Sequence, residues 1–393
     1  MKQNNGVVKK LLVSVSALSL TALLGGCGSF LVGDENLSEA VDLPDVAQSV
    51  GFTRQWQASI GDGTDKKSLH LRPTVVDNRV FVVSADGTLE ARELTTGKRI
   101  WQQDIGQCIA AGVAADNNLV VVSSEDGLLM AFSAGDGSAG WTYQASTEIL
   151  TPPTIVNGLV IARAIDGQIT ALNARSGQPV WKQYIGVSDL SIRGNARGIY
   201  LDGAILYTNE KGRMTILSVT DGKPVASTPL VRGKGMTAVD QIADLLATPV
   251  VRNGVLFVSA YRQKTLALNL RDGSLLWQSP YSTDKDLFAD DKFVYLIDKN
   301  SLISALDMRT GKLAWTKNTL EGRRISPVIG NGAWIATIDQ EGIMSFLDSN
   351  NGNYLGRTDV GGKRSYIAPI VTSAGILTYT SDGDLTLTKP VAP

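Results

Sequence analysis

The sequence predicts an all-β fold, an eight-bladed β-propeller of four-stranded antiparallel blades whose ring is closed by the N-terminal strand joining the last blade. Three observations predict it. First, a Gly followed four residues later by a Trp recurs at Gly97 and Trp101, Gly137 and Trp141, Gly177 and Trp181, Gly273 and Trp277, and Gly311 and Trp315. Gly222 and Gly352 hold the same place, with Ala226 and Gly356 where the Trp would stand. Second, another turn lies ten residues upstream of each, at Gly87, Gly127, Gly167, Gly212 and Gly342, with Gln263 and Ser301 as departures. A spacing of about forty residues with four strands per unit is the mark of a propeller blade. Third, the last unit starts at Ile367 and stops near Thr388 without a Trp, while residues 52–58 are a lone Trp-bearing strand at the front. Joining the two closes the ring and removes both open edges. A seven-bladed ring with a remainder is the other arrangement.

The chain divides into three parts. Residues 1–26 read as a lipoprotein signal peptide: Lys2, Lys9 and Lys10, then an apolar stretch over 11–24 too short for a membrane span, then Gly25-Gly26-Cys27. This resembles a bacterial lipobox, which implies cleavage before Cys27 and lipid on its sulfur and its new amine. A plain secretory signal with an incidental Cys is the other reading. Several acyl chains anchor stably where one does not, at about 0.8 kcal/mol per buried methylene. Gly28 stands where Asp would signal retention at the inner membrane in enterobacterial-type sorting. The resemblance therefore implies a lipid-anchored protein of the outer membrane, facing the periplasm. Residues 27–50 have mixed polarity and no period, and are expected to be a flexible tether with an end-to-end distance of about 25 Å. Residues 51–393 form the propeller as a single domain. Cys108 is then the lone thiol of the mature chain, expected as a small packed residue with no internal disulfide open to it.

Within the propeller, residues 248–277 show one whole unit: a Pro-led strand, an Asn-Gly turn, the run from Val255, a second turn, a strand ending at Leu270, the turn Arg271-Asp272-Gly273, and a strand reaching Trp277. Runs such as Val80-Phe81-Val82-Val83 are apolar without alternation, as strands covered on both faces are. Asp86-Gly87, Asp126-Gly127 and Asp166-Gly167 are hairpin turns that need positive φ. The recurrent Trp is expected between adjacent blades, where its ring buries about 150–250 Å².

Composition excludes some functions. Apolar residues make up 43% of the chain and charged residues 19%, which is ample material for a core. The net charge of −1 gives no global attraction to nucleic acid. The single His, His70, excludes a His-rich metal site. Acidic residues sit mostly at turns, where Asp supports turn geometry, and no constellation of base and ligands stands out.

Function is therefore sought where the repeat is broken. One interruption follows Trp181, at Ser188-Asp189-Leu190-Ser191-Ile192-Arg193-Gly194. Two apolar residues beside an Arg suit the centre of a protein interface; equally, Leu190 and Ile192 start the first strand of the next blade and Arg193 is a solvated flank. The second interruption, residues 231–247, lies in the long interval from Gly222 to Gly273. Val239, Ile242 and Leu246 have the spacing of a short turn of helix. A third segment, Gly361-Gly362-Lys363-Arg364-Ser365-Tyr366, reads either as a solvated loop or as a contact with a partner or lipid head groups.

Two families are resembled. Residues 171–181 (A-L-N-A-R-S-G-Q-P-V-W) and 305–315 (A-L-D-M-R-T-G-K-L-A-W) resemble the tryptophan-docking repeat of pyrroloquinoline quinone dehydrogenases. That resemblance implies an axial quinone held beside Ca²⁺, an Asp base and often a pair of adjacent Cys residues, which this sequence lacks. The lipobox, tether, blade number and both interruptions together resemble the BamB family, lipoproteins of the outer-membrane β-barrel assembly machine, over nearly the whole chain. This second resemblance implies a non-catalytic scaffold without a cofactor. Its partners would be the periplasmic POTRA domains of BamA and, indirectly, the other lipoproteins of the machine. Its role would be to assist folding and insertion of outer-membrane β-barrel proteins.

By position the resemblance makes Leu190, Ile192 and Arg193 contacts for BamA, since the family carries a similar L-S-L-R-G segment there. Asp240 and Asp244 match acidic positions of the second loop, while a further acid of the family is Leu246 here. Exposed strand edges at a propeller rim are a physical route for holding nascent outer-membrane chains. The other functions open to the fold are a quinone-dependent dehydrogenase and a scaffold for a different periplasmic or cell-wall partner.

Overall fold

The computed structural model describes residues 38–64, 67–187, 196–231 and 245–391. Eight four-stranded antiparallel sheets follow one another along the chain. Blade 1 is typical, with strands Thr74–Val76, Arg79–Val83, Thr88–Glu93 and Arg99–Asp104 running from the axis to the rim. Blade 8 takes Ile370–Val371, Ile376–Tyr379 and Asp384–Val391 from the C-terminus and Gly51–Ser59 from the N-terminus. The closing pair runs from Gly51 opposite Val391 to Ser59 opposite Asp384. The ring is thus eight-bladed, with no remainder.

The middle strands are the core because both their faces meet neighbouring blades: Val80, Phe81, Val82, Val120, Val122, Leu256 and Phe257 are at most 1% exposed. The outer strands carry a β-bulge at a fixed place. Ala91 pairs Trp101 but Arg92 pairs Arg99, and the same shift recurs opposite Trp181, Trp277 and Trp315. The bulge turns the Trp inward and leaves its predecessor outside the ladder. Ile100, Val180 and Leu276 are exposed for that reason.

Each Trp docks on the next blade. Nε1 of Trp56, Trp101, Trp141, Trp181, Trp277 and Trp315 donates to a carbonyl of the following unit, Leu94, Ala134, Ala174, Val219, Met308 and Ser349, at 2.8–3.2 Å. The ring lies on the Gly three residues beyond that carbonyl. A Cβ on Gly311 would stand 2.4 Å from Trp277, at φ +68°. The recurrent Gly and Trp are therefore partners across blades, not within one. Blade 4 has Ala226 in place of the Trp, and Gly273 opposite it faces open space.

Three expectations are corrected. Residues 38–50, read as free tether, are pinned along blade 7. Ser49 and Val50 N–H donate to the Leu355 carbonyl at 2.8 and 3.0 Å, and Val41 N–H to Glu321 at 3.1 Å. Arg357 reaches the Pro44 carbonyl at 2.6 Å and Arg323 that of Val41 at 3.0 Å, while Leu43 packs on the blade 6–7 core. Without a period of its own, the segment satisfies its backbone on a neighbouring rim. Cys108 is half-buried one residue before the strand Ile109–Ala115, and it is disulfide-bonded rather than a lone thiol. Leu246 is in no helix; it is packed, 8% exposed, beside Leu245 and Ala247. Val239 and Ile242 lie outside the described residues.

Because successive strands reverse, the connectors from each outer strand to the next inner strand share one face with the turns between second and third strands. The described roots of both interruptions, the 361–366 loop and residue 38 lie on that face.

Candidate functional site

Leu190, Ile192, Arg193, Asp240 and Asp244, together with Cys27, lie outside the described residues. Their roots are described. The inner strand of blade 4 is Ile199–Leu201 and that of blade 5 is Val250–Arg252. The described inner strand of blade 4 thus begins at Ile199, downstream of Leu190 and Ile192.

The root of the first interruption is held by buried polar groups. Asn209, 2% exposed, donates through Nδ2 to the Ile185 and Gly186 carbonyls at 3.3 and 3.1 Å. Arg163 of blade 3 donates to the Thr208 carbonyl at 3.0 Å and to both Glu210 oxygens, at 2.7 and 2.9 Å. This ion pair, in which Arg163 Nη2 is shared by both Glu210 oxygens, joins blades 3 and 4 with side chains only 9% and 11% exposed. The second interruption leaves from Leu230 and Val231, whose N–H groups donate to the Gly212 carbonyl at 2.9 and 3.1 Å. It returns through Leu245, which packs with Val231 in one core cluster. Leu246, opposite an acid of the family, is a packing residue here rather than a surface group.

The two far ends meet at the axis. Arg197 N–H donates to Thr248 Oγ1 at 3.3 Å, and Thr248 N–H to Asp286 Oδ1 at 3.0 Å. Arg197 Nη2 is 3.9 Å from Asp286 Oδ2, and these side chains keep 36% and 30% of their surface exposed toward the axis. His70, stacked on Tyr366 with centroids 6.4 Å apart, and Arg364, 4.4 Å above the Tyr366 ring, complete the cluster. The 361–366 loop is therefore built into the axial face: Ser365 is 2% exposed, and Lys363 N–H donates to Asp382 at 2.8 Å.

The charges of this cluster act on one another. Burial lowers the Arg72 guanidinium to about 10; the Arg197 charge acts the same way and Asp286 opposes it. Burial also lowers His70, helped by Arg197 and Arg364 against Asp286 and Asp284. Burial disfavours ionised Asp286, yet the Arg197 charge, the Thr248 hydrogen bonds and His70 together hold it below the ordinary carboxylate range. Guanidiniums are strong bases and stay charged at neutral pH.

The axis does not fit the calcium-held quinone of the dehydrogenases. That group needs several oxygen ligands around a divalent cation, and here Arg72 and Arg197 bring positive charge to the same place, against Asp286. Among the described residues no group of three or more His, Cys, Asp or Glu side chains is placed to hold a metal.

Sequence reasoning missed the axial cluster. Its members immediately precede inner strands, where other blades carry Thr-Pro, Ser-Pro or Ala-Pro. Charges standing in that otherwise neutral slot, at Arg72, Arg197 and Asp286, were the available signal.

The family model described as outer membrane protein assembly factor BamB matches residues 53–104 and 85–317. The chain is 40% identical over 378 residues to the outer membrane protein assembly factor BamB of Alkalilimnicola ehrlichii, covering 96% of each. The crystal structure of BamB from Moraxella catarrhalis superposes with a TM-score of 0.79 at 23% identity, over 86% of this chain and 100% of that one. A quinohemoprotein alcohol dehydrogenase from Pseudomonas putida HK5 shares the fold, with a TM-score of 0.63 at 13% identity, over 86% of this chain and 76% of that one.

Proposed function

The chain belongs to the family of the outer membrane protein assembly factor BamB, and on that footing we propose that it is a non-catalytic scaffold of the β-barrel assembly machine. Lipid at Cys27 anchors it to the outer membrane, facing the periplasm, and it binds the POTRA domains of BamA. Leu190, Ile192 and Arg193 make the main contact, with Asp240 and Asp244 beside them. One observation carries the reading. Both breaks in the repeat fall at adjacent junctions of one face, and the residues that root them are rigidly held, by Asn209 and the Arg163–Glu210 pair on one side and by Val231 and Leu245 on the other. Loops that vary on a fixed scaffold are where binding is placed. An Arg flanked by apolar residues supplies the usual centre of such a contact.

The test is co-purification of the lipidated wild type and an Arg193→Glu variant from membranes, with BamA scored. Loss of BamA from the folded variant alone supports both the partner and the loop. Retention by both moves the interface elsewhere on the molecule. Absence from both overturns the proposal and favours a scaffold for another periplasmic partner.

A further inference from the structure

The inner strands of blades 1 to 5 surround an axial cavity of about 570 Å³. Its walls are mostly apolar, among them Val113, Pro152, Ile155 and Val250, and Arg72 and Arg197 supply its charge. No Asp or Glu lines it among the described residues. Among the described residues Arg197 has its nearest ion-pair partner in Asp286 at 3.9 Å, too far for a hydrogen bond. Among the described residues the Arg72 guanidinium has neither a hydrogen bond nor an ion pair, although its backbone is fixed. Arg72 N–H donates to the His70 carbonyl at 2.8 Å, and the Arg72 carbonyl accepts from Val113 at 3.3 Å. Gly112 permits that approach, since a Cβ there would stand 2.5 Å from the Arg72 nitrogen.

Among the described residues, two guanidiniums beside an apolar hollow, with one distant carboxylate between them, leave a positive charge uncompensated. Desolvating a cation without a partner is costly, and an anion entering the cavity removes that cost. The planar fork of Arg matches a carboxylate with two parallel hydrogen bonds. Pro and Val walls favour an apolar body over a fully hydrated ion. We propose that the axial cavity binds a small organic carboxylate, its two oxygens between Arg72 and Arg197 and its apolar part against the inner strands of blades 2, 3 and 5. This proposal does not depend on the reading of the loops as contacts for BamA.

The experiment is titration calorimetry on the full lipidated chain in detergent with three probes: N-acetyl-leucine, its amide, and inorganic phosphate. The expected result is saturable binding of the acid at one site. The amide and phosphate should bind at least about tenfold more weakly, as loss of a charge-assisted pair and of apolar contact requires. Arg72→Gln should weaken the acid at least about tenfold while leaving the amide unchanged. Independently of any variant, the acid should protect Arg72 and Arg197 of the wild type from phenylglyoxal, read by peptide mass. No saturation by about 10 mM acid, equal binding of acid and amide, phosphate as tight as the acid, or no protection would each overturn the proposal.

Discussion

Replacing Gly311 and Gly273 with Ala separates two reasons for a glycine that look identical in the sequence. Both sit four residues before a Trp, and their φ values are +68° and +70°. Either substitution places an L side chain in the left-handed region, at a cost of about 1–2 kcal/mol. At Gly273 nothing lies within 4 Å of the new Cβ, so that is the whole cost. At Gly311 the Cβ would stand 2.4 and 2.6 Å from two carbons of the Trp277 ring. Trp277 cannot step aside freely: it is 8% exposed, and its Nε1 is tied to the Met308 carbonyl at 2.9 Å. Overpacking of this kind adds about 1–3 kcal/mol, so Gly311→Ala should cost about 2–5 kcal/mol. Urea unfolding followed by circular dichroism gives both costs from the midpoints, provided the slope m is unchanged. In a Trp277→Ala background the excess at Gly311 should vanish, leaving the conformational cost alone. Equal costs at the two glycines, or an excess that survives removal of Trp277, would refute docking as the reason the two residues recur together.

Ala226→Trp should supply the missing plate at the junction of blades 4 and 5, lying over Gly273 with its Nε1 toward the Leu270 carbonyl, and raise stability by on the order of 2 kcal/mol; a lower unfolding midpoint would show that the open space above Gly273 is not a Trp site. Arg163→Ala should cost about 3–5 kcal/mol by leaving Glu210 buried and unpaired, whereas replacing both residues by Met should cost far less, and a double variant as unstable as the single one would sink this account. Burial lowers Lys285 to about 8, with Arg364 acting the same way and Asp284 and Asp298 opposing. Between that value and the unfolded 10.5 the unfolded chain binds more protons, so stability attributable to Lys285 rises with pH across this window, and below it the penalty for the buried cation is fully present. Lys285→Met should abolish that rise, and a slope unchanged in the variant would assign it to another group.

The propeller was legible because its defining contact uses two residues of fixed identity. A Trp needs a flat, close floor, only Gly provides one at positive φ, and the pair therefore repeats with the blade. What could not be read was that each Trp answers the Gly of the following unit; Ala226 and Gly273 look like unrelated irregularities until the ring places them face to face. The strap over residues 38–50 was illegible for the opposite reason. Its hydrogen bonds go to Glu321, Leu355 and Arg357, so no pattern within the segment records them. The axial cluster is intermediate: the pair His70 and Arg72 is far in sequence from Arg197, Asp286 and Arg364, and they share only their place ahead of an inner strand.

Rim and axial face are under different physical constraints, which explains where this chain departs from its own repeat. At the rim a change of one side chain is felt across a junction, because ring, glycine and carbonyl meet at contact distance in six of the eight junctions. On the axial face a connector need only leave one outer strand and reach the next inner strand, so its length is free once both roots are fixed. Asn209 and Arg163 fix one root, and the sequence of bonds from Arg197 to Thr248 to Asp286 fixes the returning ends. The junctions that carry long connectors include one of the two that lack the rim Trp, between blades 4 and 5. There, Val231 and Leu245 pack with Leu206, Leu256 and Val258 in one core cluster, while the place over Gly273 stays open. A connector rooted in packed residues of the axial face can therefore lengthen without opening the ring.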